Sequence, residues 1–352
     1  MFRLRVLCIL VDLPSKLPVR EVLTHRSHVL KDIIDEFKDP AIVGCTLSIA
    51  IVDERGNIED GRGSGVTREV FSLFWQQFFP ALTMGATEKI PSIRHDYQRQ
   101  EWEAVGRFMV FVYYTIKYFL VSLSCILLVS CLFGEEAITH DLLLESFYKF
   151  IPIDEAETLK KSTSNDFDPQ DEDLLDILSS YKCYKNPTKE NISMIVSQLA
   201  HQELIQKPRY ISNCWGPILQ PLKNTSQFSN IEIIKQLYDK KKPSPKDVVK
   251  ILIASPSSDS EVQAFEYLKK FIKTLSESSL ELFLQFTTGS NMLIVPSIEV
   301  AFTAADNALR VPIAHTCGPM LELPSTYQSF NELSEEFTNI MKEKESWSFH
   351  IV

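Results

Sequence analysis

The residue best suited to covalent chemistry in this sequence is Cys317. It lies within Val311-Pro-Ile-Ala-His-Thr-Cys-Gly-Pro-Met-Leu-Glu-Leu-Pro324, between a strand-like piece and a short apolar piece, so we expect it on a loop. A loop thiol beside Gly318 is approachable, and the neighbouring His315 can lend positive charge that favours the nucleophilic thiolate. Because a single cysteine is more often structural, the other cysteines have to be weighed against it.

The seven cysteines are scattered along the chain, and they form no C-x-x-C pair. An odd and scattered set supports neither a disulfide framework nor a compact zinc site, so we expect a reducing compartment, cytoplasmic or nuclear. Most of the others lie in apolar or aromatic surroundings typical of buried, inert thiols, whereas the surroundings of Cys183 are less clear. The cysteines expected to be buried are Cys8, Cys45, Cys125, Cys131 and Cys214.

The glycines Gly56, Gly61, Gly63 and Gly65 form the other conspicuous cluster. Their spacing does not match the phosphate-binding pattern G-x-G-x-x-G, and no Gly-Lys-Ser/Thr follows. We therefore interpret them as a tight turn that leads into a helix. The sequence also lacks G-x-S-x-G, H-E-x-x-H and paired His/Cys ligand spacing, so we expect no metal and no cofactor.

The length and the net charge of the chain limit the number of domains and the kinds of partner that can be expected. The chain has 352 residues, which favours about two domains, and its 45% apolar content is enough to build real cores. Its net charge is −10. Because phosphate contacts need a positive surface, this charge argues against a nucleic-acid partner.

The elements around Cys317 predict a small α/β unit that occupies the last hundred residues. Ser258 and Glu261 have capping-box spacing ahead of an amphipathic helix, and Ser329 and Glu332 begin a final helix in the same way. The strand-like pieces between these helices are Leu293–Val295 and Val311–Ala314.

The residues before this unit predict a larger and mainly helical part, so the fold class is α+β. Leu47–Val52 is strand-like and runs into the glycine turn, after which a helix with a wide apolar stripe follows from Thr67. Charge and two prolines in Lys240–Lys246 indicate a linker, because they cannot continue a helix or a sheet. Helical patterns cover 101–150 and 174–240, on either side of an acidic loop at 162–173.

The stretch Phe108–Phe133 is long and apolar, with Lys117 as its one charge. A membrane helix needs about 20 apolar residues, whereas the uncharged part, 118–133, is shorter. We favour a pair of buried helices over a membrane-spanning segment, although hydropathy alone does not separate the two.

With these elements in place, the C-terminal hundred residues resemble the C-lobe of HECT-type ubiquitin ligases. Leu282–Ser290 resembles the family's Leu-x-Phe-x-Thr-Gly segment, and Tyr327–Met341 resembles its last helix. Pro312–Cys317, followed by Leu321–Pro324, resembles the active-cysteine motif and its following strand. The glycine turn with Arg68-Glu69, and Val105-Gly106-Arg107 beyond it, is similar to the opening of the family's N-lobe.

The resemblance implies a bilobal HECT-like fold, with a larger, mainly helical N-lobe and a smaller α/β C-lobe. Residues 1–48 remain unassigned, 49–240 correspond to a divergent N-lobe, 241–250 to a hinge linker and 251–352 to the C-lobe. Two lobes joined by a flexible linker suit a cysteine that has to meet two different partners in turn.

The resemblance also implies a function. Ubiquitin would arrive as a thioester on a ubiquitin-conjugating enzyme, pass to Cys317, and then move to a lysine of a protein substrate. Thr316 would help to hold the loop, and His315 would support the thiolate. Phe349, fourth from the end, matches a large apolar residue that the family places there to set the lobes for transfer. An equally weighted alternative is that Phe349 only packs against the last helix, and Trp347 could do the same.

Three departures from the family pattern leave other functions open. Gly318 and Pro319 replace the bulky and polar residues that usually follow the cysteine, and 290–301 lacks the family's glycines. The region 160–240, which would hold the docking site for the conjugating enzyme, carries no residue that can be matched individually. The alternatives are a catalytically degenerate HECT-like binding or regulatory protein and a membrane-anchored version that uses 108–133.

Overall fold

The computed structural model describes residues 17–53, 55–59, 61, 63–164, 167–304 and 311–342. Its first elements are β1 (Val19–His25), α1 (Val29–Phe37) and β2 (Thr46–Val52), and the two strands pair in parallel with Val22 opposite Ile49. The expected strand at Leu47–Val52 is therefore confirmed. Beyond the glycine turn, α2 (Ser64–Leu82) leads into the short hairpin of β3 (Thr83–Met84) and β4 (Ile90–Pro91).

The rest of the N-terminal part is helical, as the sequence predicts. The acidic loop lies between α6 (Ile153–Ser162) and α7 (Glu172–Ser180). The helices are α3 (Arg99–Ile116), α4 (Cys125–Phe133), α5 (His140–Phe150), α6 (Ile153–Ser162), α7 (Glu172–Ser180), α8 (Ile192–His201), α9 (Arg209–Leu219) and α10 (Ile231–Lys241).

The C-terminal part is a mixed sheet with helices packed against it. Its elements are α11 (Pro245–Ile251), β5 (Leu252–Ala254), α12 (Asp259–Thr274), α13 (Glu277–Thr288), β6 (Ile298–Thr303), β7 (Ile313–His315), β8 (Met320–Pro324) and α14 (Phe330–Lys342). The strand order is β5-β6-β8-β7, in which β5, β6 and β8 run parallel and β7 is antiparallel to β8. The described residues thus have the expected α+β fold class.

Both predicted capping residues begin their helices. The Oγ of Ser258 accepts a hydrogen bond from the backbone N–H of Glu261 at 3.3 Å, and that of Ser329 accepts one from Glu332 at 3.3 Å. Each glutamate carboxylate in turn accepts from the backbone N–H one residue before the cap rather than from the cap itself. The side chains still satisfy N–H groups that a helix start leaves without partners.

Buried apolar side chains of the described residues form two clusters. The N-terminal cluster is built on aromatic rings from α2 and α3, and the ring centroids of Phe74 and Phe108 lie 4.2 Å apart. The C-terminal cluster lies between the sheet and its helices and includes Leu268, Phe283 and Phe337. Met292 belongs to the N-terminal cluster although it follows α13 in the chain, so the two parts are in contact.

The long apolar stretch forms two buried helices, as we favoured. It is divided between α3 and α4, and Lys117 ends α3 in a left-handed conformation with a φ of 56°. Its ammonium lies 5.2 Å from the centroid of the Tyr113 ring. Within the part of the chain that the structure describes, none of the helices combines the length and apolarity needed to cross a bilayer.

Some local predictions were wrong. Leu293–Val295 is not a strand, and the strand of this region is β6, which begins at Ile298. The segment Lys240–Lys246 is not a continuous linker, because α10 extends to Lys241 and Pro245 begins α11. Proline is well tolerated in the first turn of a helix, where its missing N–H is not needed. Only 242–244 lie between the two helices.

Candidate active site

Cys317 lies at the turn between β7 and β8, as its sequence position predicts. The two strands are antiparallel, with Ala314 opposite Leu321 and His315 opposite Met320. Ala314 and Leu321 are fully buried, so they anchor the strand ends in the C-terminal cluster. The short turn leaves Cys317 exposed.

No other cysteine in the described part of the chain is exposed. Cys125, Cys131 and Cys214 are buried, as expected, and burial raises the pKa of all three thiols. Cys183 is half-buried, and so is Cys45, which the sequence had led us to expect in the core. Accessibility therefore separates Cys317 from the other described cysteines, and Cys8 lies outside the described residues.

His315 and Thr316, the other two site residues predicted next to the cysteine, differ in their surroundings. The ring Nε2 of His315 lies 2.8 Å from a carboxylate oxygen of Glu322 on β8, and this contact fixes the orientation of the ring. Thr316 is buried, with 7% of its surface exposed. Its carbonyl oxygen accepts a hydrogen bond from the guanidinium of Arg68 on α2.

The first turn of α2 lies against the cysteine loop. The hydroxyl of Ser64 donates a hydrogen bond to the carbonyl oxygen of Cys317 at 3.0 Å. Gly63, the N-cap of α2, has a φ of +104°, and a Cβ added there would lie 3.4 Å from the Cys317 sulfur. A Cβ on Gly65 would collide with the Thr316 hydroxyl and lie 2.9 Å from the backbone nitrogen of Cys317.

Arg68 connects this turn to two places in the C-terminal part. Its Nε donates to the carbonyl oxygen of Thr288 at 2.7 Å, and its Nη2 donates to that of Thr316. Burial lowers the pKa of Arg68, and its electrostatic interaction with Cys317 acts in the opposite direction. The guanidinium is therefore a buried positive charge close to the thiol.

The sequence predicted the cysteine loop but not its partners on α2. We interpreted the glycine turn as the start of a helix, and the structure confirms this, but it also brings that turn to Cys317. Nothing local in the sequence signals this contact, since Ser64 and Cys317 are 253 positions apart. Phe349 and Trp347 lie outside the described residues. Among the residues that are described, no group of metal-binding side chains is close enough together to hold an ion.

The fold and the site define an α+β protein with an accessible loop thiol at the junction of its two parts. A family model described as the HECT-domain (ubiquitin-transferase) matches residues 77–350, which is well over half of the chain. The chain therefore belongs to the HECT-domain family, whose members interact with ubiquitin-conjugating enzymes and ubiquitin. The match begins at Gln77, within α2, so Arg68 and the glycine turn precede it. A search of curated proteins found no match.

Proposed function

We propose that the chain is a ubiquitin-protein transferase that forms a ubiquitin thioester on Cys317 and passes the ubiquitin to a substrate lysine. The observation that carries this proposal is the exposure of Cys317 on a turn whose backbone is held from α2. A nucleophilic thiol has to be accessible, and its surroundings have to be fixed if it is to meet a carbonyl carbon in a defined geometry.

The proposed chemistry consists of two acyl transfers. In the first, the Cys317 thiolate attacks the thioester carbonyl of ubiquitin on the conjugating enzyme, a new C–S bond forms, and the enzyme's cysteine leaves as a thiolate. In the second, a lysine amine attacks the new thioester, an amide forms, the amine loses a proton to solvent, and Cys317 leaves as a thiolate. The first step is nearly balanced in energy, and the thioester remains reactive toward an amine.

We further propose that 49–240 act as an N-lobe, 251–352 as a C-lobe, and 241–250 as the hinge between them. The two buried clusters support a division near residue 240, although the N-terminal cluster also includes residues of 1–48, such as Val22, and Met292. The short connection 242–244 is the place where the direction of the chain can change without breaking a helix. Helix α11 occupies most of the remaining hinge residues, so the hinge motion would be concentrated before Pro245.

The experiment is a single-turnover assay in which a panel of conjugating enzymes, each charged with labelled ubiquitin, is mixed with the protein. We expect an adduct that a thiol reductant removes. Cys317→Ser converts it to a reductant-resistant oxygen ester or abolishes it, because a hydroxyl is a weaker nucleophile. Cys183→Ser, at a half-buried cysteine outside the motif, is the control and leaves the adduct intact.

Two results would contradict the proposal. A reducible adduct that persists in Cys317→Ala would place the acceptor elsewhere. Stable binding of a charged conjugating enzyme without any adduct would favour the catalytically degenerate binding protein instead.

A further inference from the structure

The contacts between α2 and the cysteine loop form a small, well-defined surface. It comprises Ser64, Gly65 and Arg68 on one side and the backbone of Thr316 and Cys317 on the other. We call the three residues of α2 the seat. The hydrogen bonds from the seat to this loop join residues about 250 positions apart in the chain.

Arg68 fixes the loop through the geometry of its side chain. The planar guanidinium donates to carbonyl oxygens on two separate elements, Thr288 at the end of α13 and Thr316 next to Cys317. Its donors are held in one rigid fork, so the position of Thr316 is set relative to α13. Both threonines are buried, and their carbonyls would lose a charged donor without Arg68.

Gly65 allows the backbones to approach this closely. A methyl group added at Gly65 would meet backbone atoms of both Thr316 and Cys317 at 2.9 Å, and those atoms cannot move aside as a flexible side chain can. Gly289, which ends α13 with a φ of +76°, lies against Gly65, because a Cβ on Gly289 would lie 2.8 Å from the Gly65 carbonyl oxygen. Two glycines thus bring α2 and α13 together beside the thiol.

A second contact along α2 keeps α13 in register. The side-chain amide of Gln76 donates to that of Gln285 at 2.9 Å, and Gln285 is 4% exposed. Arg68 and Gln76 lie about two turns apart on α2, and their partners Thr288 and Gln285 lie within one turn of each other near the end of α13. In this arrangement of the two parts, the loop after β7 is positioned by α2 and α13 together and not by its own strands alone.

We propose that the seat positions the Cys317 loop, with Arg68 as the positioning residue and Gly65 as the site of close backbone approach. The thiol then depends on residues of the N-terminal part for its orientation toward an incoming thioester. The claim about reactivity rests on the proposed transfer reaction, whereas the claim about position does not.

Amide hydrogen exchange of the full chain tests the claim about position without ubiquitin or a conjugating enzyme. We expect Arg68→Ala to raise exchange in 285–292 and 313–323 by about tenfold or more, because two buried carbonyls lose a charged donor. Exchange in α3 stays unchanged. Arg68→Lys restores part of the protection, because the lysine ammonium keeps the positive charge but lacks the fixed geometry of the guanidinium donors.

The matched control for this variant is Arg107→Ala. The side chain of Arg107 is only 12% exposed, and it also donates to a backbone carbonyl, that of Phe37 at 2.7 Å, but it lies within the N-terminal part. We expect its replacement to leave the Cys317 loop unchanged. Unchanged exchange at 313–323 in Arg68→Ala, or an equal rise throughout the chain, would overturn the proposal.

Gly65→Ala provides a second test that does not remove a buried charge. Alanine is the better helix former, so α2 itself is not weakened, whereas the added methyl group pushes the cysteine loop away. Gly216→Ala is the control, because the Cβ there would meet its nearest atom at an ordinary 3.5 Å. Protection at 313–323 that survives in Gly65→Ala would also overturn the proposal.

The rate of thioester formation tests the claim about reactivity. We expect Arg68→Ala to slow it by about 10- to 100-fold, the effect of misplacing a reacting group by about 1 Å, and Arg68→Lys to recover part of the loss. An unchanged rate in a protein whose loop has loosened would overturn this claim. If the wild-type chain forms no adduct, the transfer proposal fails, but the hydrogen-exchange results still show whether the seat positions the Cys317 loop.

Discussion

The hydroxyl of Tyr118 donates a hydrogen bond to Oδ1 of Asn291 at 2.7 Å, and this bond joins the loop after α3 to the segment that follows α13. Tyr118 is 5% exposed, and burial raises its pKa. The next residue after Asn291, Met292, is packed within the N-terminal cluster. Asn291 and Met292, two consecutive residues of the C-terminal part, thus contact the N-terminal part, the first through a hydrogen bond and the second through apolar packing.

We expect Tyr118→Phe to lower the free energy of unfolding by about 1 kcal/mol, because the hydrogen bond is lost while the ring is retained. Urea denaturation of Tyr118→Phe, Asn291→Ala and the double variant gives a mutant cycle with a coupling energy of about 0.5–1.5 kcal/mol. Tyr114→Phe is the control, since its hydroxyl donates to the Pro221 carbonyl within the N-terminal part. Strict additivity of Tyr118→Phe and Asn291→Ala would contradict the coupling.

The helices and the cysteine loop could be predicted because their signals are local. Ser258 and Ser329 mark helix starts through contacts made within four residues, and the strands that flank Cys317 are adjacent in the sequence. Patterns of this kind are visible without any knowledge of the tertiary structure.

The errors arose where long-range packing decides the structure. Leu293–Val295 is an apolar run that looks like a strand, yet Ile294 packs against the N-terminal cluster and Pro296 follows two residues later. An apolar run indicates burial but does not distinguish a sheet from a packed loop. The contacts of Arg68 with Thr288 and Thr316 were likewise invisible, since they span 220 and 248 positions.

A buried carboxyl group predicts a pH dependence of stability. Glu88 is 6% exposed, and burial raises its pKa although Ser146 and the N–H of Cys125 donate to it. The folded protein therefore holds this proton at pH values where the unfolded chain has lost it. The stability that Glu88 contributes is complete below the unfolded pKa and is lost as the pH rises through the folded pKa.

We expect the unfolding free energy of the wild type minus that of Glu88→Gln to fall as the pH rises from about 4 to about 7, as measured by urea denaturation. Asp39→Asn is the control with the opposite sign. Hydrogen bonds from Ala41 and Arg20 lower the pKa of Asp39, so its contribution is present above the unfolded pKa and lost as the pH falls. A flat difference curve for Glu88→Gln would show that burial does not perturb this group.

Phe349 supplies a test that separates the two transfer steps. We expect Phe349→Ala to leave thioester formation on Cys317 intact and to slow discharge to free lysine, if Phe349 sets the lobes for the second step. Single-turnover loading and lysine discharge measured separately would show this, with Trp347→Ala as the neighbouring control. A decline of both steps together with stability would mean that Phe349 only packs the last helix. An unaltered discharge rate in a stably folded protein would remove the tail from the mechanism.

The separation of Ser64 from Cys317 has a consequence for the nascent chain. At about 5–20 residues per second, the ribosome needs roughly 13–50 s to extend the chain over the 253 positions from Ser64 to Cys317. During that time the first turn of α2 presents polar groups that water can solvate, and the place of Met292 in the N-terminal cluster stays unfilled until residue 292 has been made. The helical part thus completes its interior only with a residue of the C-terminal part, and the thiol of Cys317 reaches its neighbours on α2 later still.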